Sequence, residues 1–456
     1  MSIVSPPVRR RASRTEQLLA EESAATTKPA RPAIVIVGAG MVAAKLVEEV
    51  IALAPDRFSI RMFGAEPHGT YNRILLSSVL GGFADPSQLW LRALEWYEDH
   101  GVLVHAGVKA ERIDRERGVV IGGGGKVEEP YDFLVLATGS RPFVPPLENS
   151  QQRGVFVFRT LDDCQAIGAY AQNCDRAVVL GGGLLGLEAA RGLLSHEVEV
   201  TVVEVAPYLM AQQLDPTGGA VLKAKLESMG IQVRLGTAAT GLLGDGAVTG
   251  VRFKDGSTLE TDMVVISCGI RSNVDEAREA GLVVERGIVV DDQMRTSDQK
   301  IFAVGECAQH RGISYGVVEP LYEQARVLAD VLTGAKRDAA YAGSKLATKL
   351  KVMGIDLVSM GDVRGEGSDV EVATHVDSTK GLYKKVVLRD SKLIGGIVLG
   401  AEDNGGRLLR LFKEGQIHAE PALNLLTEGP DEDGGRAAVI DFPESAQICN
   451  CNTVTK

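Results

Sequence analysis

Ala33-Ile34-Val35-Ile36-Val37-Gly38-Ala39-Gly40-Met41-Val42-Ala43 is the stretch that decides how this chain of 456 residues is read. Its five leading residues are small or β-branched and apolar, which suits a parallel strand buried on both faces. The strand enters G-x-G-x-x-A directly, and a helical pattern follows. This is a dinucleotide fingerprint in its strand–turn–helix setting. Gly38 permits the tight turn, Gly40 lets backbone approach a pyrophosphate, Met41 opens the helix, and Ala43 lets that helix lie close to the sheet. A pyrophosphate at such a helix start meets free N–H groups and the positive end of the helix dipole. A second strand, expected over 58–63, leads to Glu66, placed to accept hydrogen bonds from a ribose hydroxyl pair.

The same order returns. Ala177-Val178-Val179-Leu180 enters Gly181-Gly182-Gly183-Leu184-Leu185-Gly186, and a strand expected over 198–203 ends at Glu204. A third element repeats as well. Tyr131-Asp132-Phe133-Leu134-Val135-Leu136-Ala137-Thr138-Gly139-Ser140-Arg141 matches Thr261-Asp262-Met263-Val264-Val265-Ile266-Ser267-Cys268-Gly269-Ile270-Arg271, each a buried strand ending in a small-residue turn. One glycine-rich turn is weak evidence. Two, each followed by an acid-ended strand and a closing strand, predict an α/β chain with two Rossmann-like domains and two dinucleotide sites.

Composition narrows the partners. A net charge of -11 argues against nucleic acid, which is bound by basic surfaces. No apolar run reaches the length of a membrane span. Six cysteines spread over this length form no disulfide framework and fit a reducing cytoplasm. Residues 1–32 are rich in Arg, Ser, Ala and Pro without an apolar core. Glu16, Glu21 and Glu22 count against a transit sequence, so a disordered tail is expected there.

The paired fingerprints, the Ala137-Thr138-Gly139 turn and the late stretch Thr296-Ser297-Asp298 … Ile301-Phe302-Ala303-Val304-Gly305-Glu306-Cys307 resemble the flavoproteins with two dinucleotide-binding domains. The resemblance implies FAD on the first domain and NAD(P)H on a second domain inserted into it. It also implies that Gly305 and Glu306 close the FAD site, where the family carries Gly-Asp. Glu319-Pro320 resembles the segment whose backbone meets the flavin ring. Arg141 and Gly269 belong to the turns beside the two nucleotides. Glu204 accepts from both ribose hydroxyls of NADH and repels the 2′-phosphate of NADPH. Val205-Ala206-Pro207 offers no arginine to compensate, so NADH is favoured. Glu188, two residues past Gly186, is a candidate catalytic neighbour of the nicotinamide, with a solvated or capping carboxylate as the alternative. Arg73 is a candidate for stabilising charge on the reduced flavin or its phosphates, with a surface salt bridge as the alternative.

Disulfide reductases of this class carry a cysteine pair on the first-domain helix. Here the corresponding stretch is Thr70-Tyr71-Asn72-Arg73-Ile74-Leu75-Leu76-Ser77-Ser78, without cysteine. Electrons are therefore expected to leave the flavin directly. From about residue 340, strands over 349–352, 357–360, 383–388 and 393–399 and a helix over 404–414 are expected, the last two strands joined by Arg389-Asp390-Ser391-Lys392. In the family such a small α+β domain packs on the flavin domain or makes a homodimer contact. The reading divides the chain into the tail 1–32, an FAD domain over 33–147 and 272–335, an NAD(P)H domain over 148–271, the α+β domain over 340–428, and a linker with an iron–sulfur-like start over 429–456.

Residues 70–77 and Lys345-Leu346-Ala347-Thr348-Lys349-Leu350-Lys351-Val352-Met353-Gly354-Ile355-Asp356-Leu357 resemble the flavin half of the large subunit of bacterial NAD(P)H-dependent assimilatory nitrite reductases. In that family an iron–sulfur domain and a sirohaem half follow. Cys449 and Cys451, in Ile448-Cys449-Asn450-Cys451-Asn452, resemble the first two ligands of the four-cysteine 2Fe–2S domain. A functionless tail is the alternative. The function implied is electron input from NADH through FAD to an iron–sulfur or sirohaem acceptor. Two other readings stay open: a stand-alone ferredoxin- or rubredoxin-type reductase, and a slow-turnover nucleotide sensor.

Overall fold

Ala33–Val37 is buried along its whole length and forms the centre of a parallel sheet. The computed structural model describes residues 31–352, 354–400, 405–415, 417, 421–427, 447–449 and 454–455. The tail expected over 1–32 and the linker expected over 429–447 lie almost wholly outside the described residues. The chain divides into two compact units. One comprises Met1–Tyr71, Trp90–Ser140 and Ser272–Gly343; the other comprises Asn72–Leu89, Arg141–Arg271 and Ser344–Lys456. Residues 72–89, within the range 33–147 expected for the first domain, thus group with the second unit.

In the first unit the sheet order is Ile301–Ala303, Phe133–Leu136, Ala33–Val37, Ser59–Gly64, Val102–Ala106, all parallel. Parallel strands need long crossovers, and the helix Met41–Leu53 supplies the first. It buries Met41, Ala43, Ala44, Leu46, Val47 and Val50 and packs against the helix Val318–Thr333. A three-stranded antiparallel meander, Ala110–Asp114, Val119–Gly122 and Val127–Pro130, follows the edge strand. Glu129 of the meander is bonded to His105 of the edge strand at 2.6 Å and ion-paired with Arg61 at 2.7 Å. All three side chains are buried, so each charge or polar edge is met by another.

The second unit repeats that plan strand for strand. Its parallel sheet runs Val155–Val157, Met263–Ile266, Arg176–Leu180, Glu199–Val203, Gln232–Arg234. A meander of Ala239–Leu243, Gly250–Phe253 and Thr258–Glu260 again follows the edge strand. The closing strands quoted from the sequence lie beside the fingerprint strands in equivalent register, Val37 opposite Leu136 and Leu180 opposite Ile266.

A five-stranded antiparallel sheet completes this unit, in the order Ala347–Val352, Ile355–Gly361, Lys392–Leu399, Leu382–Arg389, Val370–Asp377. The helices Gly405–Glu414 and Ala422–Thr427 cover one face, with Leu408, Leu411, Phe412, Leu425 and Leu426 buried against Val386, Leu388, Leu393 and Val398. The fold is thus two Rossmann-type sheets with a small α+β module.

That module joins the parallel sheet of the second unit through a buried polar cluster. Asp215 caps the helix Pro216–Ser228 by accepting from the Gly218 amide at 2.9 Å. The same carboxylate accepts from the Tyr383 hydroxyl at 2.6 Å and from Lys385 Nζ at 2.9 Å. Burial alone would push the Asp215 carboxyl up, but the Tyr383, Gly218 and Lys385 donors outweigh it and hold the carboxyl low.

The hairpin turn between Leu382–Arg389 and Lys392–Leu399 has Asp390 at φ 50° and Ser391 at φ 59°. Positive φ at both central residues is the type I′ arrangement that matches strand twist and favours Asn-Gly. Replacing Asp390-Ser391 by Asn-Gly is expected to stabilise the protein by about 1 kcal/mol. The urea midpoint measures this, and an unchanged or lower midpoint would count against strain in this turn.

Candidate nucleotide sites

Gly38 and Gly181 do the same work in the two units. Their φ angles are 114° and 120°. Each donates its amide to a carbonyl at the end of the neighbouring strand, that of Phe63 or Val203, at 2.8 Å. A Cβ on Gly38 would collide with the Ala137 carbonyl, and one on Gly181 with the Ser267 carbonyl. Only glycine fits a backbone so folded and so closely backed.

The next fingerprint glycines face open space. Gly40 and Gly183 are extended N-caps, with φ -84° and -84°, and an added Cβ on either would meet nothing within 4 Å. No side chain caps either helix. The first-turn amides, which include those of Met41 and of Leu184, Leu185 and Gly186, have no intrahelical acceptor. Two cradles of one shape result, each suited to a pyrophosphate. Gly186 packs so tightly under Gly181 that a Cβ would collide with the Gly181 carbonyl, whereas Ala43 fills the equivalent place in the first unit.

Around the first cradle, the Thr70 hydroxyl is 3.0 Å from the Ala39 carbonyl and 2.7 Å from the Tyr97 hydroxyl, bracing the loop. Glu66 lies past the strand Ser59–Gly64 and accepts from the Tyr71 hydroxyl at 2.7 Å. The turn Thr138-Gly139 is tied to Asn273. Thr138 Oγ1 donates to the Asn273 carbonyl at 2.7 Å, and the Asn273 side chain returns a bond to the Thr138 carbonyl at 2.9 Å. Gly305 has φ 90°, and its amide donates to the fully buried Gln324 at 3.0 Å. Gln324 Nε2 is itself buried with no acceptor among the described residues, an orphan donor beside the motif expected to close the flavin site. Glu306 accepts from Ser140 at 2.7 Å, and its carbonyl accepts from Ser272 at 2.6 Å. Glu319 lies in the first turn of Val318–Thr333. These residues fit an FAD site. Sequence reasoning missed Gln324 and Asn273; a glutamine at a buried position of an apolar helical stripe was the available signal for the first.

Around the second cradle, both oxygens of Glu204 are held by backbone. Gly182 donates to Oε2 at 2.6 Å and Ala206 to Oε1 at 2.8 Å. Each oxygen keeps a further lone pair for a ligand hydroxyl. The next side chain, Val205, is 69% exposed. Gly269 sits at φ 100° after the closing strand.

The family model described as pyridine nucleotide-disulphide oxidoreductase matches residues 32–327. The chain belongs to this family. Its two fingerprint domains are the FAD- and NAD(P)H-binding domains of such an oxidoreductase. A second model, the rubredoxin NAD+ reductase C-terminal domain, matches residues 347–416. Over 93% of its length the chain is 41% identical to a nitrite reductase and 39% identical to an assimilatory nitrate reductase electron transfer subunit, both of Bacillus subtilis (strain 168). It covers 52% and 54% of those proteins, so the chain spans about half the length of the curated relatives it matches. Among solved structures, a ferredoxin reductase from Rhodopseudomonas palustris superposes with a TM-score of 0.74 at 29% identity, over 81% of this chain and 91% of that one.

Although the family is named for disulphide chemistry, Cys164, Cys174, Cys268 and Cys307 are free thiols. Burial pushes Cys164, Cys174 and Cys268 up to about 11, and it raises the fully enclosed Cys307 as well. None is a ready thiolate at neutral pH. Cys449 ends the strand Gln447–Cys449, and Cys451 lies outside the described residues. Among the described residues no helix is long and apolar enough to cross a membrane.

Arg73 and Arg141 fall in the second unit, whereas the flavin fingerprint belongs to the first. Arg73 opens a short 3-10 turn capped by Asn72, and Arg141 is exposed. Glu188 lies on the helix Leu184–Leu194, where burial pushes its carboxyl up to about 7, against the lowering influence of Ser77 and Arg191. Between about 4.5 and about 7 the folded protein therefore keeps a proton that the unfolded chain has lost. Stability falls as pH rises through that window. Glu188→Gln should flatten this part of the stability–pH curve, as measured by denaturant unfolding at pH steps; an unaltered slope would place the titration elsewhere.

Proposed function

We propose that the chain is the electron-input part of a nitrite reductase system in nitrogen assimilation, taking a hydride from NADH into FAD and passing electrons to an iron–sulfur or sirohaem acceptor. The observation that carries it is the pair of matching glycine cradles in one chain, with Glu204 fixed by two backbone amides beside the second. When bound, the flavin accepts a hydride and releases electrons one at a time. The protein's part is to bind and orient. The first-turn amides after Gly40 and Gly183 hold the two pyrophosphates, and Glu66 and Glu204 take ribose hydroxyls. Thr138, Gly139, Gly305, Glu306 and Glu319 shape the flavin site, with Gln324 as an added donor. Arg141 and Gly269 belong to the turns beside the two nucleotides, and Glu188 lies by the nicotinamide.

The similarity to the Bacillus nitrite reductase and electron transfer subunit supports the acceptor assignment. Cys449 and Cys451 are then two of the four thiolates that a 2Fe–2S cluster needs. We assign the protein to the cytoplasm, and the domain limits follow the sequence reading except at residues 72–89, which group with the second unit. A second reading, a stand-alone rubredoxin- or ferredoxin-type reductase, draws on the C-terminal module's match and on the Rhodopseudomonas structure.

Anaerobic titration of the FAD-reconstituted chain should bleach the flavin with near-stoichiometric NADH and only weakly with NADPH. A chain that takes up no FAD, or is not bleached by either nucleotide, would overturn the proposal. In the variant carrying Glu204→Ala with Val205→Arg, the NADH-over-NADPH ratio of kcat/KM should drop by about tenfold or more. A ratio left intact would remove Glu204 from the specificity assignment.

A further inference from the structure

Residues 72–89 are built onto the nicotinamide-side unit through one helix face. The helix Leu76–Leu80 lies against Leu184–Leu194 and Leu161–Ala171. The Leu76 carbonyl accepts from the Cys164 thiol at 3.4 Å, and the Leu80 carbonyl is bonded to His196 Nε2 at 2.8 Å. Leu80 packs over Gly192, where a Cβ would collide with it. The guanidinium of Arg191 stacks on the Phe83 ring at 4.4 Å, and the turn at Gly354 also approaches it. Within this packed face the Ser77 hydroxyl is bonded to the Glu188 carboxyl. Residues 188, 191 and 192 are spaced to share one side of a helix. The segment thus arrives as a fitted part.

We propose that Ser77 is a positioning residue for Glu188, and that the ionisation of Glu188 sets how strongly the nicotinamide domain prefers NAD+ to NADH. The inference rests on the placement of Glu188 beside the nicotinamide made above. The oxidised ring carries a positive charge and the reduced ring none. An ionised carboxyl beside the ring favours the oxidised form, while a neutral carboxyl does not discriminate. Ser77 donates to the carboxylate and so favours its ionised state. Arg191 on the same helix favours ionisation too, Cys164 and His196 bind the segment's carbonyls rather than Glu188, and Lys349 stands on the strand Ala347–Val352 packed against that helix. Burial opposes Ser77 and Arg191, which places the switch near neutral pH. The nucleotide site would therefore release its oxidised product more readily in acid than in alkali.

The test is calorimetric. Dissociation constants for NAD+ and for NADH are measured on the full chain from pH 5.5 to pH 8.5, for the parent, Glu188→Gln, Ser77→Ala and Ser77→Thr, with thermal unfolding as the check on folding. In the parent the ratio Kd(NAD+)/Kd(NADH) is expected to fall by about tenfold between the acid and alkaline limits. In Glu188→Gln it is flat. In Ser77→Ala the inflection moves up by about one pH unit, and Ser77→Thr restores it. A flat ratio in the parent, or an inflection indifferent to Ser77→Ala in a folded variant, overturns the inference while leaving the proposed function standing. If neither nucleotide binds at any pH, the proposed function fails with it.

Discussion

Everything in the two nucleotide domains hangs on a backbone that turns through positive φ at the end of a buried strand, pressed against a carbonyl that follows the closing strand. At Gly38 the opposing group is Ala137, and at Gly181 it is Ser267. The contact is made of main chain on both sides, so no side-chain change elsewhere can relax it. It aims each following helix at the same point relative to its sheet, and that leaves the extended glycines, 40 and 183, facing outward. The acids that follow the second strands and the Thr138-Gly139 turn are placed by this geometry rather than placing it.

Main-chain control explains why so much was legible in the sequence. Glycine spacing, apolar strand runs and the repeated closing strand are local signals, and all three encode backbone positions. The paired parallel sheets, the hairpin around Asp390-Ser391 and the helix at Gly405–Glu414 were readable for the same reason. The edge strand Val370–Asp377 was not. Val370, Val372 and Val376 do alternate with polar residues there, but the strand has one neighbour, and Val372 and Val376 are exposed, so the apolar pattern does not mark a core-facing side. The grouping of residues 72–89 with the second unit was equally hidden, because the apolar spacing of Leu76 and Leu80 does not say which helix will cover them. Gln324 and Asn273 were missed because their roles depend on partners far along the chain, at Gly305 and Thr138.

Glu188 and Glu204 show how one residue type acquires two characters. Glu204 is met by two amides and has its geometry fixed. Glu188, just past the glycine turn, is enclosed with a hydroxyl and a guanidinium that only partly offset burial. Sequence spacing located both acids. It could not tell a carboxylate clamped by amides from one enclosed by packing, since that distinction is made by neighbours from other elements.

The Asp215–Tyr383–Lys385 cluster gives the small C-terminal module a meaning that its size conceals. Lys385 is 6% exposed, and its charge is answered by an aspartate that caps a helix of the nicotinamide domain. Cut the chain after residue 343 and Asp215 loses two of its donors together, while the helix it caps loses its cover. A shortened gene product would then begin life with a wound in its nucleotide-binding half, not merely without an appendage. The module is a keystone, and the domain beneath it was shaped with that weight in place.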